Sequence, residues 1–360
     1  TNKRITNTMK EITTEKPRID WIDLAKGFCI LLVMWWHIKE LYSNRGFTDR
    51  NEMLYMATYF RMPLYFFLSG LFFKTYSGYF DFLRRKTNKL LVPFVFFGLI
   101  GIVYSLVWTD KLPAQRTWQT LYPFVPVWFL WCLFLMNNLF YLVRHLCRRR
   151  KPLIYLGVVC LGVIGYNAGE NYIHVLHVRS ALTAMPFFVA GYAVRNHTNF
   201  LTRRVRKYEW VFIAIAIFLL YGLVMFNGKV AILYVNNVYS VPVWALYLGG
   251  AAGIYAILTL AKLLHRLPVI SYLGRYSIIV LITHYPIVYL FPKSWNRMLF
   301  HGFHGYCALE ELVLLACVQV PIICLCKRYL PWLFAQEDLV KTWDISIHKK
   351  KQPISNEESI

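Results

Sequence analysis

The chain has 360 residues, of which 58% are apolar and 18% aromatic but only 16% charged, and its mean hydropathy is +0.42. That is more apolar surface than a water-soluble core of this length buries, so composition points to the bilayer as solvent and excludes disorder, collagen and small disulfide scaffolds. The net charge of +22 would suggest nucleic acid in a soluble protein, but here the basic residues cluster between apolar runs, as in cytoplasmic loops facing anionic lipid; lipid is an expected partner and nucleic acid is not.

In chain order, a polar tail over 1–17 precedes ten apolar segments at roughly 21–42, 53–73, 90–108, 126–143, 152–167, 178–194, 209–226, 238–261, 268–291 and 308–330. Each approaches the length of about 20 residues that a helix needs to cross the hydrocarbon. The first segment lacks a small-residue cleavage site and reads as an anchor, not a signal peptide. With the N-terminus inside, the cytoplasmic segments hold 28 of the 40 Lys and Arg residues and the outer loops hold 7. That bias predicts an even number of spans with both termini cytoplasmic. The expected fold is all-α: a polytopic integral membrane helical bundle of about ten transmembrane helices. The N-terminal tail would be 1–17, the membrane domain 18–330 and the C-terminal tail 331–360. The eight cysteines form no C-x-x-C pair and read as small buried hydrophobes.

Polar residues inside apolar segments each need a reason, because a charge near mid-bilayer costs about 2.5–3.5 kcal/mol on insertion scales. In the first segment, Lys26 and His37 stand eleven residues apart, about three helical turns, and so share a face roughly 16 Å apart along the axis. That span is comparable to an extended pantetheine arm, with a cation placed for a phosphate and an imidazole at the reactive end. Snorkelling by Lys26 and an interhelical hydrogen bond from His37 would explain the same two residues.

The second segment carries Arg61 two residues before Pro63, an arginine beside a backbone break, which suggests a polar cavity. Ser69-Gly70 further along suits a small-residue packing notch better than a nucleophile. The ninth segment repeats the pattern with Arg275, Ser277 and His284, and His284 lies at the same depth as His37, so two imidazoles could border one site. Arg179, at the outer end of the sixth segment, either snorkels or meets an anionic acceptor. The cytoplasmic run Arg84-Arg85-Lys86-Thr87-Asn88-Lys89 is a topology signal that is also placed to meet a phosphate-bearing cofactor. His174-x-x-His177 and His301-x-x-His304 have ligand-like spacing but no third ligand, so no metal is expected.

The order of these features resembles the membrane-bound acyltransferase family 3, the bacterial O-acyltransferases of surface polysaccharides. Lys26 through His37 resembles its signature of a basic residue, ten residues and a histidine, with lysine where arginine is usual. Phe66-Phe67-Leu68-Ser69-Gly70 resembles FFxxSG, and Lys86-x-x-Lys89-Leu90-Leu91-Val92-Pro93 resembles RxxR-I-x-x-P with lysines. Trp128-Phe129-Leu130 resembles WFL, Met185 through Tyr192 resembles PFFxxGY, and Gly274 through His284 resembles the late LGxxS…H helix.

The resemblance covers roughly 18–330. It implies a bacterial inner-membrane enzyme that moves an acyl group, most simply acetyl, from acyl-CoA to a hydroxyl of a glycan or glycolipid. Under it His37, Lys26 and Arg61 are the expected catalytic set, His37 as general base. Lys86, Lys89, Arg275 and Ser69 fall on the cofactor side, and His284 and Arg179 on the acceptor side. A transporter or flippase for lipid-linked glycans would also need ten spans and buried cations, but not a histidine three turns above Lys26, and no inverted repeat is visible.

Overall fold

A computed structural model describes residues 19–44, 52–109, 127–168, 177–197, 199–230, 232–235, 237–290 and 307–340. The N-terminal tail, the loops at 45–51, 110–126, 169–176 and 291–306, and with them His174, His301 and His304, lie outside the described residues. Within them the chain is a bundle of helices with a single short hairpin among the described residues.

A helix lies over each of the ten apolar segments. α1 spans Asp20–Asn44 and opens on Asp20 and Asp23, whose carboxylates complement the positive end of the helix dipole. α2 spans Glu52–Leu71 with Pro63 inside it. Then come the short amphipathic α3, Tyr79–Lys86, a single π-helical turn, Thr87–Leu91, and α4, Val92–Thr109. α5 (Trp128–Leu146), α6 (Lys151–Asn167), α7 (Val178–His197) and α8 (Glu209–Asn227) follow. β1 (Ile232–Leu233) and β2 (Val238–Tyr239) form an antiparallel hairpin with Ile232 opposite Tyr239. α9 (Val243–Leu264), α10 (Pro268–Arg275), α11 (Ser277–Leu290) and α12 (Cys307–Tyr329) complete the bundle.

Among the described residues, five stretches are long and apolar enough to cross a membrane: 20–40, 128–146, 209–227, 243–264 and 309–329. Two shorter apolar helices occupy 151–167 and 277–288.

The structure departs from the expected segments in two places. The ninth segment is two helices, because the chain leaves helical geometry at Tyr276 (φ −109°, ψ 31°). The eighth begins not at 238 but at Val243, after Pro242, because Val238 and Tyr239 pair in the hairpin.

Two crossings fix the frame around the site. α10 lies so close on α1 that a Cβ on Gly274 would run into the Asp23 carbonyl oxygen, and one on Gly27 into that of Ile270. α2 and α7 meet in the same way: Gly70 abuts the Phe188 carbonyl and Gly191 that of Phe67. Small residues let helices approach where lipid supplies no hydrophobic drive of its own. The Ser69-Gly70 notch is thus half of a reciprocal glycine contact. Past α12, residues 331–340 turn back along α4: Trp332 and Phe334 meet Phe96 and Phe97, and the Asn88 amide exchanges two hydrogen bonds of 2.8 Å with the Val340 backbone.

Candidate active site

α1, α2 and α11 converge on three cationic or imidazole side chains that sequence places far apart. The His37 and His284 rings lie 5.3 Å apart between centroids, and Tyr285 meets the His37 ring edge-on at 5.0 Å. Arg61 is buried, with its guanidinium 4.1 Å over the indole of Trp36, the residue before His37. The same indole takes the Lys39 ammonium at 4.8 Å, and Tyr55 takes it at 3.8 Å. Aromatic faces thus hold two cations where no described acid makes a close ion pair with either. The Cys29 thiol donates to the Arg61 carbonyl at 2.7 Å and ties the proline-broken stretch of α2 to α1.

Each imidazole has one nitrogen committed. His37 Nδ1 is 3.2 Å from Glu40 Oε2, and His284 Nδ1 is 2.8 Å from the Val280 carbonyl. An oxygen acceptor requires the proton on Nδ1, which leaves Nε2 with its lone pair in each neutral ring. His284 Nε2 is fully buried with no partner among the described residues, and so is Arg61 Nη1. Beside His284, the Thr283 hydroxyl donates to Gln319 Oε1 of α12 at 2.7 Å. Unpaired buried polar atoms are costly and rare, so a cluster of them marks a place built for something else to bind.

The other expected residues fall elsewhere. Lys26 lies three turns below His37 on α1; the Tyr65 hydroxyl donates to its backbone carbonyl at 3.3 Å, and its ammonium lies 5.9 Å from the Phe72 ring. Ser69 belongs to the α2–α7 crossing. Lys86 ends α3, with its ammonium 5.7 Å from the Phe82 ring, and exposed Lys89 sits in the π-helical turn. Burial, with the Lys89 charge adding to it, pushes the Lys86 amine down to about 8. Such one-residue insertions often mark functional sites.

Arg275 is exposed at the end of α10, 5.5 Å from the Tyr276 ring, and the structure does not bring it to the His37 cluster. Arg179 is buried under the hairpin. With the Asn237 amide oxygen turned toward it, that oxygen accepts from Nε at 2.8 Å and Nη2 at 2.9 Å. Asn237 itself adopts a left-handed conformation (φ 53°), which asparagine tolerates better than most residues. His177 meets the Val235 carbonyl at 3.1 Å and stacks against Trp128.

Sequence reasoning passed over Glu40, Thr283 and Gln319. Glu40 had a signal, since residues three apart on a helix share a face and His37 was already marked. Gln319 needed the tertiary contact to be seen.

Comparison with known proteins gives one result. No curated protein and no solved structure matches the chain significantly. A family model described as an acyltransferase domain matches residues 19–326, which takes in every helix of the bundle and all three members of the buried cluster. The chain belongs to the membrane acyltransferase family 3 and is an acyltransferase.

Proposed function

We propose that this acyltransferase moves a short acyl group, most simply acetyl, from cytosolic acyl-CoA to a hydroxyl of a cell-surface polysaccharide or lipid-linked glycan. It does so from the inner membrane of a bacterium, with ten spans and both termini cytoplasmic. The observation that carries this reading is that the surroundings of the His37 ring hold a buried donor, Arg61 Nη1, and a buried imidazole nitrogen, His284 Nε2, each without a partner among the described residues. A hydroxyl both donates and accepts, and an attacked thioester carbonyl accepts more strongly as it becomes an oxyanion. The set suits both.

His37 Nε2 takes the acceptor's O–H proton as that oxygen bonds to the thioester carbon. Negative charge develops on the carbonyl oxygen and meets the Arg61 guanidinium, in surroundings where water competes little. Collapse breaks the C–S bond, and the departing thiolate takes the proton from Nε2, leaving an ester, CoA thiol and a neutral ring. His284 accepts from an acceptor hydroxyl and orients it. Lys26 lies on the path toward the cytosol, where its ammonium can meet cofactor phosphate. Lys86 and Lys89 guide the nucleotide phosphates at the mouth.

The test supplies purified protein with labelled acetyl-CoA and envelope glycan from a strain deleted for the protein. Glycan ester should form with the native chain and fall by about 10²–10⁴-fold with His37→Ala. Acceptor lipid crossing the membrane of vesicles that hold the protein, with no ester formed, would favour transport instead.

A further inference from the structure

A general base works only if the nitrogen facing the substrate is the one without the proton. In His37 that choice is made by Glu40, whose Oε2 lies 3.2 Å from Nδ1. A carboxylate has no proton to give at neutral pH, so Nδ1 carries the N–H and Nε2 keeps its lone pair. The contact is built by the helix itself, because positions 37 and 40 share a face of α1. Glu40 is also within electrostatic reach of Arg61, so a guanidinium steadies the carboxylate that steadies the imidazole. The carboxylate side chain remains half-exposed at 48%, and an exposed pair within one helix adds little to stability. Structure alone gives little reason for it.

We infer that Glu40 is a positioning residue of the acyl transfer: it holds His37 in the Nδ1–H tautomer and balances the imidazolium that forms during attack. This rests on the reading of His37 as the base. The acceptor proton goes to His37 Nε2 as the new C–O bond forms and leaves on the CoA thiolate as the C–S bond breaks. Glu40 stays ionised throughout and touches neither substrate.

The experiment uses the full chain in lipid nanodiscs with labelled acetyl-CoA and envelope glycan from the deletion strain. It compares the native protein with Glu40→Ala, Glu40→Asp and His37→Ala. Glu40→Ala should lower kcat by about 10–10²-fold and leave KM for acetyl-CoA within about twofold, the pattern of a lost transition-state contact. Formate, which can reach the half-exposed position, should restore part of kcat to Glu40→Ala and none to His37→Ala. Glu40→Asp should fall between, its carboxylate being one methylene short.

An activity-independent reading comes from ¹⁵N spectra of histidine-labelled protein, with the His37 signal assigned from its absence in His37→Ala. The native ring should show a protonated Nδ1, and Glu40→Ala should move that proton toward Nε2. Unchanged kcat in Glu40→Ala, with His37→Ala inactive, would overturn the role of Glu40 and leave the base standing. A kcat loss with neither formate rescue nor a change of tautomer would overturn it as well. Full transfer by His37→Ala would bring down the base and this inference together.

Discussion

Arg61 is the residue whose chemistry is most narrowly defined by its surroundings. Its guanidinium lies over the Trp36 ring, is buried from solvent and has no partner for Nη1 among the described residues. Lysine would keep the charge and lose both the planar stacking and the fork of donors. Arg61→Lys should therefore reduce kcat by about 10²–10³-fold, the cost of one oxyanion donor, with KM for acetyl-CoA nearly unchanged. Steady-state kinetics decide this, and a purely KM effect would move Arg61 from the reacting atoms to the binding of the cofactor.

Lys86 answers to pH. Its amine, held down near 8, is charged below that value and neutral above it, whereas an amine bound to phosphate keeps its proton. Affinity for CoA should then weaken as pH rises from 7 to 9, by at most about tenfold per unit for one proton. Lys86→Arg should flatten the curve. A native curve already flat over that range would remove Lys86 from the nucleotide site.

At this scale the sequence was legible wherever a polar group sat in an apolar run. His37, Arg61 and His284 stand out because the bilayer tolerates such groups only for cause. Their mutual position is a tertiary fact: matching depth suggested that two imidazoles might meet, and only helix packing sets their rings 5.3 Å apart. Glu40, three residues beyond His37 and close to the end of its apolar segment, is not singled out by the apolar pattern, because a charge there can reach the interface.

Between elements, the glycine crossings govern how rigidly the site is held. Gly70 and Gly191 each face a backbone carbonyl of the other helix, and a carbonyl within a helix cannot step aside as a side-chain tip can. Gly70→Ala and Gly191→Ala should each destabilise the protein by about 1–3 kcal/mol, as overpacking does. The double variant should lose less than the sum, since both open the same seam. Thermal inactivation of the detergent-solubilised protein measures this, and strict additivity would mean that the two contacts are independent.

Element boundaries were the least readable feature. Hydropathy does not separate Val238 and Tyr239 from the apolar run beyond them, because a strand pair and a span end share the same residues. Pro242 was the visible boundary, because a proline fits the first turn of a helix better than its interior. The break at Tyr276 has no counterpart in apolar patterning. It follows α10's close contact with α1 through Gly274 and separates the stretch that grips α1 from the one that carries His284.

For the molecule as a whole, helices over all ten apolar segments show how much a lipid solvent writes into composition: with no water to satisfy the backbone, an apolar run has little choice but to coil. What composition leaves open is how distant parts meet. The segment at 331–340 is the clearest case, read as tail and found lying along α4. Asn88→Ala should cost it two hydrogen bonds, about 1–3 kcal/mol in all. If about 1.4 kcal/mol is lost, chymotrypsin should cut at Trp332 and Phe334 about tenfold faster, with the bundle intact. Unchanged proteolysis would mean that the aromatic contacts of Trp332 and Phe334 hold the segment by themselves.

Asn88 and Val340 are 252 positions apart, so the clasp cannot close until every helix of the described bundle has been synthesised. Until then the Asn88 amide lacks its Val340 partner. The lysine-bearing π turn therefore acquires these two restraints only after residue 340 has been made, and a nascent chain stalled before that point would carry all the described helices with that turn unlatched.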